Sequence, residues 1–69
     1  MKKEYTVIFQ DFQDGNTYVA WVEAVGPQHA FEVAALDHHV NSLLEDSSTF
    51  EIEDYKEIAT FFGKHENLA

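Results

Sequence analysis

The residues best suited to chemistry are the four histidines, two of which are adjacent in the run Asp37-His38-His39. Imidazole nitrogens and carboxylates bind transition metals, so this run is the first candidate for a metal site. Successive residues of an α-helix point about 100° apart, so these side chains cannot converge on one ion. Helical ligand pairs stand three or four residues apart, and Asn41 and Ser42 occupy those positions after His38. We interpret His38 and His39 as surface residues, with a small histidine-dependent metal-binding protein as an alternative function.

The sequence carries no recognisable catalytic motif. It has no cysteine, which excludes thiol nucleophiles, disulfides and cysteine-based zinc sites. Its three glycines do not form a phosphate-binding loop, and its serines do not form a nucleophile elbow. A chain of 69 residues has little room for both a core and a sheltered pocket. We predict a protein that is not an enzyme, with no catalytic residue, cofactor or bound metal.

The charge balance is strongly acidic. Thirteen acids oppose four lysines, the net charge is −9, and there is no arginine. Phosphate contact needs Lys or Arg to displace counterions, so we exclude direct nucleic-acid binding, and anionic lipid surfaces are repelled as well. No stretch approaches the ~20 apolar residues of a membrane helix. We expect a cytoplasmic protein that binds another protein and not a membrane.

Acids are most concentrated around the entry to the third predicted strand. This run comprises Glu45, Asp46, Glu51, Glu53, Asp54 and Glu57. A calcium loop needs glycine at its sixth position, and counting from Asp46 that position is Glu51. The run is therefore either a solvated loop or an acidic docking surface for a basic partner.

The first half of the chain predicts a β-hairpin. Residues 5–10 and 17–24 are rich in β-branched and aromatic side chains, which favour strands. Between them, Asp14-Gly15-Asn16 supplies residues that tolerate positive φ in a tight turn.

The second half predicts one amphipathic helix and a final strand. Gly26-Pro27 opens a helix over residues 27–45, and residues 55–62 form the strand, which Gly63 ends. Leu36 and Val40 should lie at the centre of the helix–sheet contact. The apolar arc comprises Val33, Leu36, Val40, Leu43 and Leu44, flanked by Ala30 and Ala34. Residues 45–49 should form a loop, residues 50–52 should pair briefly, and residues 64–69 should form a frayed polar tail.

These elements predict a single α+β domain over residues 1–69, with the order β-β-α-β. The final strand follows a right-handed crossover through the helix, which favours a mainly antiparallel sheet in the order 2-1-3. Placing the third strand beside the second is the alternative. The single helix packs on one face of the sheet.

The other sheet face should remain apolar. With a two-residue hairpin loop, Tyr5, Val7 and Phe9 share a face with Ala20, Val22 and Ala24, and a three-residue loop exchanges the second set. Either arrangement leaves large apolar side chains uncovered, and such patches are usually interfaces. We predict a homodimer, with the interface drawn from Ile8, Phe12, Tyr18, Trp21 and Phe62.

The chain also resembles known small proteins in residues 5–9, in residues 14–20, in the helix after residues 22–24 and in residues 55–68. These segments resemble small uncharacterised ββαβ proteins of bacteria and phages and, more distantly, the N-terminal half of HicB-type antitoxins. The latter resemblance implies binding to a toxin. The chain differs from HicB-type antitoxins by lacking the Pro-containing segment that they have after strand two, and their C-terminal DNA-binding domain, so autoregulation through DNA is not expected. Small phage inhibitors of host enzymes also use an acidic ββαβ plan.

Together these observations favour a non-catalytic, acidic protein-interaction module. Its acidic surface would dock on a basic partner, as an inhibitor or an antitoxin-like protein does. A structural subunit of a larger assembly is the third class of function, besides the metal-binding alternative.

Overall fold

The computed structural model describes residues 1–42, 44 and 46–68. Strand β1 (Lys3–Asp11) and strand β2 (Thr17–Ala24) precede helix α1 (Pro27–Asp37), and strand β3 (Tyr55–Phe62) follows. Shorter helical segments are the π-helical His38–Ser42 and the 3-10 turns Ser47–Thr49, Ile52–Asp54 and Glu66–Leu68.

The sheet has the order β2-β1-β3, with β1 antiparallel to both neighbours. The predicted fold is therefore confirmed: three antiparallel strands carry one packed helix, in an α+β arrangement. β1 is the central strand, and its residues Val7 and Phe9 are buried. Strand β2 and strand β3 have the bounds that the sequence predicts.

The hairpin register decides which side chains share a face. Tyr5 pairs with Val22, Val7 with Ala20, and Phe9 with Tyr18. This is the parity expected for a loop with an even number of residues, although the loop has four residues and not two. The backbone N–H of Asp11 donates to Asn16 across its ends (3.0 Å).

Gly15 makes that loop geometrically possible. Its φ is +75°, in the left-handed region that other residues enter at a cost of about 1–2 kcal/mol. Its N–H donates to the carbonyl of Asp11 at 2.8 Å. Of the three residues that the sequence suggested could adopt positive φ in this turn, Gly15 is the one that does so.

Helix α1 packs on the sheet through small side chains. Ala30, Ala34 and Ala35 are buried against a sheet face that carries aromatic rings, which small residues allow the helix to approach closely. The core comprises Tyr5, Val7, Phe9, Ala24, Ala30, Ala34, Ala35 and Tyr55. The prediction that Leu36 occupies the centre of this contact is wrong, because its side chain is 36% exposed. Val40 is half-buried.

The helix changes character at its end. α1 stops at Asp37, and the next five residues form a π-helical turn, which is wider than an α-turn. His38 and His39 are consequently 8% and 4% exposed, so their interpretation as surface residues is wrong. Leu44 has a φ of +56° and is exposed, and Leu43 lies outside the described residues.

Strand β3 contains a register shift. Ile8 pairs with Ala59, but the next residue of β1, Phe9, pairs with Glu57, so Ile58 is an extra residue. Such a bulge breaks the alternation of faces along the strand. Before the strand, Phe50 and Ile52 pack against the core, and Ile52–Asp54 forms a 3-10 turn where the sequence predicted brief strand pairing.

The beginning of the C-terminal tail is held by Thr6, a fully buried residue of β1. Its hydroxyl donates to the carbonyl of Gly63 and accepts from the backbone N–H of His65, both at 2.8 Å. The tail is therefore ordered at its start, contrary to the expectation of fraying. Among the described residues, no helix has the length and apolar character to cross a membrane.

Candidate functional site

The side of the sheet opposite α1 carries an apolar surface built by two rows of paired residues. One row runs from Val19 through Ile8 to Ala59, and the next from Trp21 through Thr6 to Phe61. Trp21 and Phe61 are 39% and 40% exposed. We call the apolar side chains of this surface the open face: Ile8, Val19, Trp21, Ala59 and Phe61.

The two ends of the open face differ in charge. At one end Glu4 and Glu23 are directly paired across the strands, an arrangement of like charges that destabilises a sheet. Lys64 lies beside them, with its Nζ 5.7 Å from the Trp21 ring centroid and 3.3 Å from a carboxylate oxygen of Glu66. At the other end Gln10 pairs with Lys56, which places a cation there.

The structure divides the predicted interface residues among different surfaces. Ile8 and Trp21 lie on the open face, as expected. Tyr18 lies on the helix side, 5.9 Å from the Phe9 ring, and Phe62 packs 5.3 Å from the Tyr5 ring while remaining exposed.

Phe12 is also separate from the open face. It is exposed in the hairpin loop, where its backbone N–H donates to Asp54. Phe61 and Ala59 were missed from the interface because the bulge in β3 reverses the alternation that the sequence suggests. The only signal of this bulge in the sequence is that apolar and polar residues do not alternate cleanly along β3.

The predicted acidic surface lies along the connection from α1 to β3. Asp46, Glu51 and Glu53 are exposed, and Glu45 lies outside the described residues. Some of these acids also make local contacts. Asp46 accepts from the N–H of Ser48 at 3.1 Å, the Asp54 carboxylate accepts from the side chain of Gln13, and Glu57 accepts from the hydroxyl of Thr60.

A buried polar pair connects the sheet to the π-helical turn. Nε2 of His38 lies 3.2 Å from Oδ2 of Asp11, and Asp11 is fully buried. The His38 ring also packs on Tyr18, with the centroids 4.2 Å apart. Oδ1 of Asp11 accepts from the N–H of Gln13 at 2.8 Å, which fixes the carboxylate at the start of the hairpin loop.

A second carboxylate approaches this pair from the hairpin loop. The Tyr18 hydroxyl donates to Oδ2 of Asp14 at 2.5 Å, and this bond lowers the pKa of Asp14 and raises that of Tyr18. One potential ligand atom from each of Asp11, Asp14 and His38 lies within 4.8 Å of the others. The potential metal ligands that the fold brings together are thus not the run Asp37-His38-His39. His38 and His39 point to different partners, as helical geometry requires.

His39 has a structural role. Its Nδ1 is 3.1 Å from the hydroxyl of Tyr55 and its Nε2 is 2.9 Å from the hydroxyl of Thr49. Both ring nitrogens are therefore engaged with groups of the α1–β3 connection and of β3. His39 anchors that connection to the helix end.

The outer side of α1 forms an apolar groove of about 550 Å³ with the chain that precedes β3. Phe31, Val33 and Leu36 line it from the helix, and Phe50 and Ile52 line it from the connection. Val33 and Leu36 of the predicted apolar arc line this groove, whereas Ala30 and Ala34, which flank the arc, pack on the sheet. Because the apolar arc is broad, the sequence pattern did not identify which face of α1 packs on the strands.

No protein-family model, curated protein or solved structure matches this chain. The fold and its surfaces therefore provide the grounds for a functional proposal. They define a small α+β domain with an apolar open face, an acidic connection and a buried Asp–His pair.

Proposed function

We propose that this protein is a non-catalytic interaction module that forms a two-fold homodimer through the open face and docks on a basic protein through its acidic connection. The observation that supports the proposal is the open face itself. Trp21 and Phe61 are exposed and Ile8 is half-buried on the side of the sheet that α1 leaves uncovered.

The occupant that we propose for the open face is a second copy of the chain. Sheets pack face to face about 10 Å apart, with their inward side chains interdigitating. A standard interface covers about 800 Å² on each partner, less than a fifth of the 4519 Å² surface of this chain. Two-fold symmetry is the commonest arrangement of such pairs.

The charges at the ends of the open face select the orientation of the dimer. A two-fold axis along the strands would place the Glu4–Glu23 pair of one copy on the same pair of the other. An axis across the strands instead places this pair near Lys56 of the second copy, where opposite charges meet. Electrostatic complementarity of this kind fixes register more than affinity.

Sedimentation velocity tests the dimer with two variants that change the charge equally. Ile8→Lys puts a cation in the open face, whereas Phe12→Lys puts one on the hairpin loop. We expect Ile8→Lys to weaken dimerisation at least tenfold and Phe12→Lys to change it less than about twofold. Added salt should strengthen the parent dimer, because exposed like charges are screened beyond ~8 Å at physiological ionic strength. A monomeric parent protein at high concentration and high salt would refute the dimer.

The acidic connection remains outside this interface and is available to a partner. Its exposed Glu51 and Glu53 belong to a chain of net charge −9, which favours a protein with a basic groove, as for an inhibitor or antitoxin-like protein. Affinity capture with the parent and with the double variant Glu51→Lys, Glu53→Lys tests this docking. Basic proteins retained equally by both baits would contradict it.

A further inference from the structure

We propose that Asp11, Asp14 and His38 form a binding site for a divalent transition-metal ion. The three side chains come from the end of β1, the hairpin loop and the π-helical turn, and their potential ligand atoms lie within 4.8 Å of one another. The site is distinct from the open face because Asp11 and His38 lie on the helix-covered side of the sheet.

The spacing matches the needs of a small ion. Ligands bound at about 2.0–2.2 Å in a tetrahedral shell lie roughly 3.4 Å from each other. Nε2 of His38 and Oδ2 of Asp11 are already 3.2 Å apart. One imidazole nitrogen with two carboxylate oxygens is a donor set suited to Zn²⁺, Co²⁺ or Mn²⁺ and unsuited to soft ions such as Cu⁺.

Surrounding hydrogen bonds hold both carboxylates in place. Asp11 accepts from the N–H of Gln13, and Asp14 accepts from the N–H of Asn16 and the hydroxyl of Tyr18. Outer contacts of this kind orient metal ligands and tune their basicity. Because Asp14 is exposed while the other two ligands are buried, an ion has direct access from solvent.

The burial of Asp11 gives the site an energetic reason to take a cation. A buried carboxylate is costly unless a positive charge compensates it. His38 supplies that charge only when it is protonated, whereas a bound ion supplies it while the imidazole is neutral. The remaining positions around an ion held by three protein ligands would be filled by water, so binding should be reversible.

A purely structural Asp11–His38 pair makes the opposite prediction, namely that no ion binds. Protein freed of metal by a chelator should therefore be titrated with ZnCl₂ by calorimetry and with CoCl₂ by visible absorption. We expect one site per chain, a midpoint of unfolding that rises with Zn²⁺, and Co²⁺ bands typical of nitrogen and oxygen ligands. The absence of saturable binding below about 1 mM, equivalent to about −4 kcal/mol, overturns the proposal.

Substitutions of the proposed ligands test where the ion binds. Asp14→Asn should lower affinity at least tenfold, and it retains the fold because its side chain is exposed. His38→Gln should abolish binding, while the matched control His65→Gln, at an exposed histidine, should retain it. Binding that survives Asp14→Asn unchanged, or that is lost in His65→Gln, places the ion elsewhere and refutes this site.

Discussion

The imidazole of His38 lies 3.2 Å from the carboxylate of Asp11, and the pair is buried between the central strand and the end of the helix. It joins two parts of the chain that are 27 residues apart. The contact brings together the hairpin loop, the π-helical turn and the core ring of Phe9, 5.5 Å from His38. A polar link at this position specifies how the helix end docks on the sheet.

The first prediction concerns this link. His38→Leu leaves the Asp11 carboxylate buried without its partner, and we expect a loss of about 3–5 kcal/mol in the free energy of unfolding. Urea denaturation in a chelator measures it without a contribution from metal. His65→Leu, at an exposed site, is the control and should stay within about 0.5 kcal/mol. Equal stabilities of the two variants would show that the buried pair contributes nothing.

The second prediction tests which face of α1 packs on the sheet. Leu36→Ala should cost only about 1 kcal/mol, less than the 2–5 kcal/mol typical of a buried leucine. Ala34→Leu should cost about 1–3 kcal/mol or more, because a large side chain is forced between helix and sheet. Denaturant midpoints of the two variants decide the point. If Leu36→Ala were the more destabilising of the two, Leu36 would belong to the core.

The third prediction concerns the fastening of the tail. Thr6→Val keeps the shape of the side chain but removes the hydroxyl that bonds to Gly63 and His65. We expect a loss of about 1 kcal/mol, since two part-buried hydrogen bonds to the backbone are removed. Amide hydrogen exchange should accelerate most at residues 63–65. Unchanged protection there would show that the hydroxyl does not hold the tail.

The fourth prediction concerns the acid limb of the stability curve. The Tyr18 hydroxyl lowers the pKa of Asp14 from its ordinary 3.8, so the folded state binds this proton less readily than the unfolded state. The stabilisation is therefore present above pH 3.8 and is lost as the pH falls through the folded-state pKa. Tyr18→Phe should raise the pKa of Asp14 and reduce the stability that is lost as the pH falls. Carbon-detected NMR titration of the Asp14 carboxyl in both proteins measures the shift, and equal titration midpoints would contradict the assignment.

The sheet was predictable because its residues alternate over long stretches. Tyr5, Val7 and Phe9 face the helix together with Ala20 and Val22, as the hairpin parity requires. Chain connectivity favoured the order 2-1-3 over a third strand beside the second, and the sheet has that order. The sequence thus placed Ile8 on the open face, but it left the strand β2 residues open between the two hairpin parities.

The wrong placement of the two histidines and the omission of Phe61 come from two local irregularities. A π-helical turn at His38–Ser42 rotates both histidines inward, although α-helical spacing places successive side chains about 100° apart. A bulge at Ile58 shifts the alternation within β3 and brings Phe61 to the open face. Both features depend on tertiary packing, and the Asp11–Asp14–His38 cluster depends on the first of them. The sequence contains no local signal for the π-helical turn, and the imperfect alternation of β3 is its only signal for the bulge.

The order β2-β1-β3 has a consequence for the colloidal behaviour of the protein. In the described sheet, β2 and β3 each pair on one side only, so both outer backbone edges can template further strands. At neutral pH the charge of −9 opposes association through these edges. That protection disappears as the pH approaches the isoelectric point near 4.5. Near that pH the unpaired edges of β2 and β3 remain while the repulsion is gone, so association through these edges should be strongest there.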